Sequence, residues 1–546
     1  MSLQPQNDFT IPEETTRIAH RAFREPSAVM RLRDELGVVY RDHDFAELFS
    51  TQGQPGVSPA LLAMVIVMQY MEGLSDRQAA DAVRGRIDWK YALGLALDDA
   101  GFDFTVLSTF RQRLLAGAQE TYLLDRLLQV CHERQLLKSG KQRTDSTHVL
   151  GAVRTLNRLE LVMETLRHAL NHLAQQAPTW LQQQVTADWF DRYGARVRDY
   201  RLPQSQAKRE ALARQVGIDG YHLLASVRSA TASSSLWQVP AVETLRQVWI
   251  QQYYRTETSV EWRKNSDLAP GALRICSPHD VEVRASRKRT LDWVGYKVHL
   301  TETCADDAPH LVTHVQTTPS TQADSDALAP IHAALTEKGL APQSHLVDAG
   351  YPSAPHLVES QAQEIDLVCR VQQDTRWQAL RADSYGLDAF TIDWEAKQVH
   401  CPQGQTSRTW SEGTRKEEPV IRVQFAREQC LSCSARSQCT TAQTRGRSLQ
   451  LHPQPRHEAL QRARQRQHTQ AFQQQYAKRA GVEGTISQAT RSFSLRRSRY
   501  VGMAKSHLQH IFSAVALNFS RLADWFASDY QRAQTPISPF ARLAPT

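Results

Sequence analysis

The sequence predicts an α/β protein: a mixed five-stranded sheet with an all-α domain before it, a helical insertion within it and a small β-rich, cysteine-containing insertion after it. Three observations predict this. Ser344-His345-Leu346-Val347-Asp348-Ala349-Gly350-Tyr351 is a short apolar run that ends in an acid, with Gly two residues later. That pattern is a strand delivering a carboxylate to the end of a sheet, where the chain turns sharply, although an Asp there also reads as a plain turn cap. Val294, Tyr296, Val298 and Leu300 alternate with Gly295, Lys297, His299 and Thr301, the period of a half-buried strand. Elsewhere apolar residues recur at helical spacing, as at Leu156, Leu159, Val162, Leu166, Leu170 and Leu173.

Residues 1–135 form the first, helical part. Its opening fifty residues read as an irregular, partly helical lead-in. Ser58-Pro59 then starts a helix that Gly73 stops, with Ser as N-cap and Pro at the first helical position. Its residues are apolar all round, which predicts burial. Ser75-Asp76-Arg77-Gln78 has capping-box spacing and opens the next helix. Further helices are expected over Trp89–Leu97 and Val106–Leu115, the last exposing Arg111 and Arg113. Short helices with basic faces suit a helix-turn-helix-like DNA-binding domain and equally a plain bundle.

The sheet begins at Arg143-Thr144-Asp145-Ser146-Thr147-His148, a β-prone stretch centred on an acid. Residues 136–155 and 275–371 make the core, interrupted by the helical insertion at 156–274. After the Trp293 strand, Leu311 to Val315 pairs back. A helix through Leu328, Ile331 and Leu335 follows, then the Asp348 strand, a helix after Ser353-Ala354-Pro355 and a strand over Ile365–Val371. Three antiparallel strands followed by alternating helix and strand is the ribonuclease-H-like arrangement. Its first and fourth strands are neighbours, which would bring Asp145 within reach of Asp348.

Residues 372–450 break the pattern with small hairpins and a cysteine cluster. Cys401-Pro402-Gln403-Gly404 and Cys430-Leu431-Ser432-Cys433 read as knuckle turns, with Cys439 behind them. Four thiolates suit a tetrahedral zinc site; reduced cysteines in a small β domain are the other reading. Residues 451–528 return to helix, carry Glu483 and end in an apolar stripe through Leu508, Ile511, Phe512, Val515, Phe519 and Leu522. The Pro-rich tail 529–546 is expected to be disordered.

Charge narrows the partners. Between Thr441 and His510, thirteen Lys and Arg face only Glu458 and Glu483, a net +11 against +8 for all 546 residues, so the rest sums to −3. A basic field of this kind marks a polyanion partner or a solvated basic helix. No apolar run nears the ~18 residues of a membrane span, and the first twenty residues have no signal-peptide core. A soluble, intracellular protein is expected. Eight cysteines are too few for a disulfide scaffold. Two strand-end aspartates and a helix glutamate suit Mg²⁺, which prefers carboxylate oxygens. A pair of such ions can serve phosphoryl transfer.

From about residue 10 to 525 the sequence resembles the bacterial insertion-sequence transposases of the DDE class. Within them it is similar to the branch with a Tyr-Arg-Glu-Lys signature around the last acid. Gly73-Leu74-Ser75-Asp76-Arg77-Gln78-Ala79-Ala80-Asp81 and Arg86-Ile87-Asp88-Trp89-Lys90-Tyr91 resemble the domain heading many such enzymes. Thr144-Asp145-Ser146-Thr147 resembles the first-acid motif and Asp348-Ala349-Gly350-Tyr351 the second. Tyr476, Arg479 and Glu483 match the third at the family spacing, but the expected Lys is Thr490, with Arg491 or Lys505 as substitutes. The resemblance implies catalytic Asp145, Asp348 and Glu483 holding two Mg²⁺ or Mn²⁺ ions. It implies DNA contacts from Tyr476, Arg479, Arg491, Arg496, Arg497, Arg499 and Lys505, and cut-and-paste movement of DNA by a homodimer on double-stranded DNA in the bacterial cytoplasm. In that branch a hairpin intermediate is held by aromatics of a β-rich insertion. Trp377, Trp394 and Trp410 lie in such an insertion here, where burial in its core is the competing role. A regulator without catalysis and a nuclease without strand transfer are the alternative functions.

Overall fold

The computed structural model describes all residues except 1, 4, 6–8, 230–234, 528–539, 541–542 and 544–546. The tail at 529–546 therefore lies outside the described residues apart from Phe540 and Leu543. The chain divides into two compact units, Met1–Lys138 with Ser146–Gln322 and Gly484–Thr546, and Ser139–Asp145 with Ala323–Glu483. The strand Lys141–Leu150 and the helix Gly481–Ser492 each run from one unit into the other.

In the first unit the helix Pro59–Glu72 forms where its punctuation places it. Ser58 accepts a hydrogen bond from the Leu61 N–H, and Gly73 closes the helix in the left-handed conformation at φ 68°. Ser75 and Gln78 make the reciprocal capping box that opens Asp76–Gly85. The final helix, Met503–Trp525, departs from its expected single stripe. It is buried from Leu508 to Phe519, because Ala28–Leu36, Pro59–Glu72, Tyr122–Glu133 and the strand Val312–Pro319 all pack on it. Its polar residues are satisfied inside. Asn518 accepts from the Val312 N–H at 2.7 Å and donates to the Val312 carbonyl at 2.9 Å, pairing one residue of that strand.

Arg111, expected on the surface of Thr105–Ala116, is instead only 7% exposed. Its guanidinium makes a two-pronged contact with Asp76, 3.0 Å on one side, and lies 5.7 Å from the Tyr500 ring centre. Arg113 is half-buried over the Phe49 ring, 4.3 Å away. Helical spacing cannot tell a basic residue facing water from one facing an acid on a neighbouring helix. Arg111→Ala is therefore expected to cost about 3 kcal/mol, the low end for breaking a buried pair because Asp76 stays partly solvated. It should leave the salt dependence of DNA binding unchanged. Urea unfolding and binding titrations check both.

The helical insertion, also in the first unit, packs Arg158–Gln176, Gln206–Arg228 and Pro240–Gln252 around Leu166, Leu223 and Trp249. Asn157 caps the first of these, with Glu160 closing the box. The antiparallel part of the sheet centres on the long strand Leu291–Thr303. Arg284–Lys288 pairs with its Leu291–Gly295 portion, and Val312–Pro319 with Tyr296–Glu302. Gly295 is where this strand meets Lys141–Leu150: a Cβ there would stand 2.1 Å from the Val149 carbonyl oxygen.

In the second unit Lys141–Thr144 pair in parallel with Ser344–Val347, which pair in parallel with Asp366–Cys369. Counting the shared strand once, the mixed sheet has six strands rather than the expected five. The added one is Arg284–Lys288, Arg-Ala-Ser-Arg-Lys, which lacks apolar alternation and is held by its hairpin partner. The β-rich insertion joins Thr391–Asp393 to Gln398–His400, and the central strand Glu418–Gln424 to Thr409–Arg415 on one side and Ser448–Leu451 on the other. Its core is Phe390, Val399, Ile421, Val423, Phe425, Leu449 and Leu451. Trp394 and Trp410 meet edge to face at 5.7 Å and pack on that core, while Trp377 opens the short helix Trp377–Leu380.

Candidate active site

The site lies within the second unit and begins with strand register. Thr144 is paired with Val347, the last pair of the parallel stretch, so Asp145, midway along Lys141–Leu150, and Asp348, just past the end of Ser344–Val347, follow it side by side. The layer beneath is locked by a buried chain of hydrogen bonds. Thr144 Oγ1 lies 2.7 Å from His345 Nε2, and His345 Nδ1 lies 2.8 Å from His332 Nε2 on the helix Ser325–Glu337. Burial pushes the His332 pKa down to about 4 and that of His345 well below its ordinary value, so both rings stay neutral. Side chains alternate along a strand, so Asp145 faces away from this layer.

Arg143, two residues before Asp145, shares its face. Arg143 Nη1 donates to the Lys478 carbonyl at 2.6 Å, and its guanidinium lies against Gly481, where a Cβ would stand 2.0 Å from Nη1. Gly481 has ordinary helical φ of −63°, so the requirement is for space. This contact seats the turn Lys478–Ala480 and the start of the helix that carries Glu483 beside the two aspartates.

Arg479, in that turn, joins the three acids. Its Nη1 is 3.2 Å from Asp145 Oδ2 and 3.9 Å from Asp348 Oδ1, and its Nη2 bonds Glu483 Oε1 one turn on. Asp145 and Arg479 are largely buried, whereas the carboxylates of Asp348 and Glu483 are 48% and 60% exposed. The site thus opens to solvent on the Asp348 and Glu483 side. Partial burial works against the Arg479 charge, but the bond from Glu483 and the fields of Tyr476, Asp145 and Asp348 outweigh it and raise its pKa. Tyr476 stacks nearly parallel on Phe472 at 5.4 Å and has the guanidinium of Arg370 at 5.2 Å and that of Arg479 at 5.8 Å.

Structure therefore brings together Asp145, Asp348, Glu483, Tyr476 and Arg479. The remaining basic candidates belong to the first unit. Arg491, Arg497 and Lys505 are exposed. Arg496 donates to Thr147 Oγ1 at 2.8 Å, and Arg499 lies 5.4 Å from the Tyr70 ring centre. Thr490, where the signature expects Lys, turns its hydroxyl back onto the Ile486 carbonyl at 2.7 Å. Sequence reasoning missed Arg143 and Arg370. The signal for Arg143 was its even spacing from Asp145; for Arg370 it was a basic residue directly after a strand parallel to the Asp348 strand.

The four cysteines, Cys401, Cys430, Cys433 and Cys439, line one cavity with Phe390, Arg436 and Arg447. Two of the sulfurs accept backbone N–H groups, Cys401 from Gln405 at 3.3 Å and Cys430 from Arg447 at 3.4 Å. Among the described residues no group of three or more His, Cys, Asp or Glu stands in an arrangement that could hold a metal ion. At the acids the Arg479 guanidinium lies where they converge. No helix among the described residues is long and apolar enough to cross a membrane.

Two segments match known protein families. Residues 400–523 match the family described as Transposase DDE domain, and residues 27–113 match Transposase domain (DUF772). No curated protein and no solved structure matches the chain. The first match contains Glu483 with its turn, and the second spans the capped helices of the N-terminal part. Both matches are to transposase domains, and they mark the chain as an insertion-sequence transposase of the DDE class.

Proposed function

We propose that this transposase binds the ends of its DNA element and cuts and joins them by metal-dependent phosphoryl transfer at Asp145, Asp348 and Glu483. One observation carries the reading: three carboxylates, from the middle of one strand, the end of its parallel neighbour and one helix, converge on a single positive group. A cluster that already holds one cation through hard oxygen donors fits Mg²⁺ or Mn²⁺. When bound, a pair of such ions supplies activation of the attacking oxygen and stabilisation of the leaving one. The protein's part is to hold the acids in register through the strand pairing and to seat Glu483 through Arg143 and Gly481. Tyr476 and Arg370 offer a ring face and a charge to the strand end. Arg491, Arg496, Arg497, Arg499 and Lys505 serve as phosphate contacts, which position a duplex without reading its sequence. The N-terminal helical domain binds the terminal repeats, and the chain works as a homodimer on DNA in the bacterial cytoplasm. Incubating the protein with its own flanking ends and Mg²⁺ tests this, with cleaved and joined products expected; cleavage without joining would favour a nuclease.

We further read the cysteine cavity as a structural zinc site, supported by four thiols around one space, Cys430 and Cys433 from one turn, and by N–H groups aimed at two sulfurs. About one zinc per chain is expected in elemental analysis of the purified, reduced protein. Its removal by a chelator should loosen residues 390–440 in hydrogen exchange while DNA cleavage metals are re-added freely. Protein devoid of zinc and stable without it would end this reading.

A further inference from the structure

One guanidinium reaches all three acids. Arg479 Nη1 faces Asp145 and Asp348 at 3.2 and 3.9 Å, and Nη2 bonds Glu483. A divalent ion held by the same oxygens would stand about 2.0–2.1 Å from them and repel a cation in that space. Guanidinium and metal therefore exclude each other. Three carboxylates against one guanidinium leave a net charge of about −2 by formal count, so the cluster attracts further positive charge but has one cation already installed.

Local structure lets the side chain leave without its backbone. Arg479 lies in the tight turn Lys478–Ala480, between the helices Gln470–Ala477 and Gly481–Ser492. Arg143 grips the turn from below, through the Lys478 carbonyl and the face of Gly481. Glu483 lies in the first turn of the following helix, and its carboxylate is 60% exposed. The Tyr476 ring, 5.8 Å away, gives the departing guanidinium a surface to move along. A phosphate matches its planar fork as well as a carboxylate does.

We propose that Arg479 is the resident counter-cation of the carboxylate cluster: it fills the metal's place in the DNA-free protein and gives it up when metal enters, passing its charge to a phosphate of the DNA strand. The proposal rests on reading the acids as metal ligands. It makes metal binding weak without DNA. It also couples the two ligands, since a phosphate that draws Arg479 away raises metal affinity, and metal raises DNA affinity by the same factor.

The test uses Mn²⁺ alone, titrated into the full chain without DNA and followed by the spin-resonance signal of the free ion. Arg479→Gln should bind Mn²⁺ roughly tenfold more tightly than the wild type, a modest figure because two of the acids are solvated. Adding Asp348→Asn should remove the gain, and Arg479→Lys, which keeps the charge, should bind as weakly as the wild type. Should Arg479→Gln fail to fold, the wild-type protein serves. Its Mn²⁺ affinity should rise when a duplex bearing the element's end is added, and an unchanged affinity overturns the proposal. Mn²⁺ binding that depends on Asp348 but is indifferent to Arg479 also overturns it. Binding that ignores Asp348 overturns the metal reading of the site as well.

Discussion

Replacing Asp145, Asp348 or Glu483 with Ala is expected to lower DNA cleavage by about 10³-fold or more, since a catalytic metal supplies several kcal/mol of transition-state stabilisation and each 1.36 kcal/mol is tenfold in rate. DNA binding should hold or tighten slightly, because each change removes a negative charge beside the phosphates. The structure sharpens the expectation. Asp145 is the most enclosed of the three acids, 17% exposed against 48% for Asp348 and 60% for Glu483, so its replacement should be the hardest to rescue by raised metal concentration. Single-turnover cleavage of an end-bearing duplex at several Mg²⁺ concentrations, beside a binding titration, measures both effects. Near-normal cleavage by any one variant would remove that residue from the site.

Much of this site was legible in the sequence because it depends on local signals. An acid closing an apolar run announces a strand end, and Ser or Asn before a helix announces its start. Arg479 and Glu483, four residues apart, share a helix face by geometry alone, and they form an ion pair. Long-range partnerships were not legible. Nothing in the spacing of Arg111 tells that Asp76 waits on a neighbouring helix. Nothing in Arg143 tells that it will hold the Lys478 carbonyl, 335 residues away. The strand Arg284–Lys288 was missed because its own residues lack the strand signal and its neighbour supplies the pairing. The final helix shows the same limit in another form. A stripe of apolar positions predicts one buried face, but Ser513 and Asn518 are buried too, because neighbours on other sides satisfy them. Part of the basic excess in 441–510 was misread for the same reason. Arg447 is buried and donates to the Cys439 carbonyl at 2.9 Å, and the part-exposed Arg466 pairs with Asp366, so these two charges already have partners within the chain.

The largest effect on stability is expected at Arg521. Its Nη1 lies 2.7 Å from Glu302 Oε2 and donates to the His310 carbonyl at 2.7 Å, while Nη2 donates to Thr485 Oγ1 at 2.6 Å. Thr485 in turn donates to the same Glu302 oxygen at 2.7 Å. Glu302 belongs to the long strand, Arg521 to the final helix and Thr485 to the helix that carries Glu483. The Glu302 carboxylate is 0% exposed, so water cannot replace a lost partner. Arg521→Leu should therefore cost about 3–5 kcal/mol, most of it the penalty of a buried charge without its partner. Changing Glu302→Leu at the same time should recover most of that loss, because a buried pair exchanged for apolar side chains is often close to neutral. Urea unfolding of the two single variants and the double variant completes the cycle. If Arg521→Leu alone destabilised no more than the double change, Glu302 would not be relying on Arg521 for its charge, and the helix of Glu483 would owe its seat to Arg143 and Gly481 rather than to this buried triad.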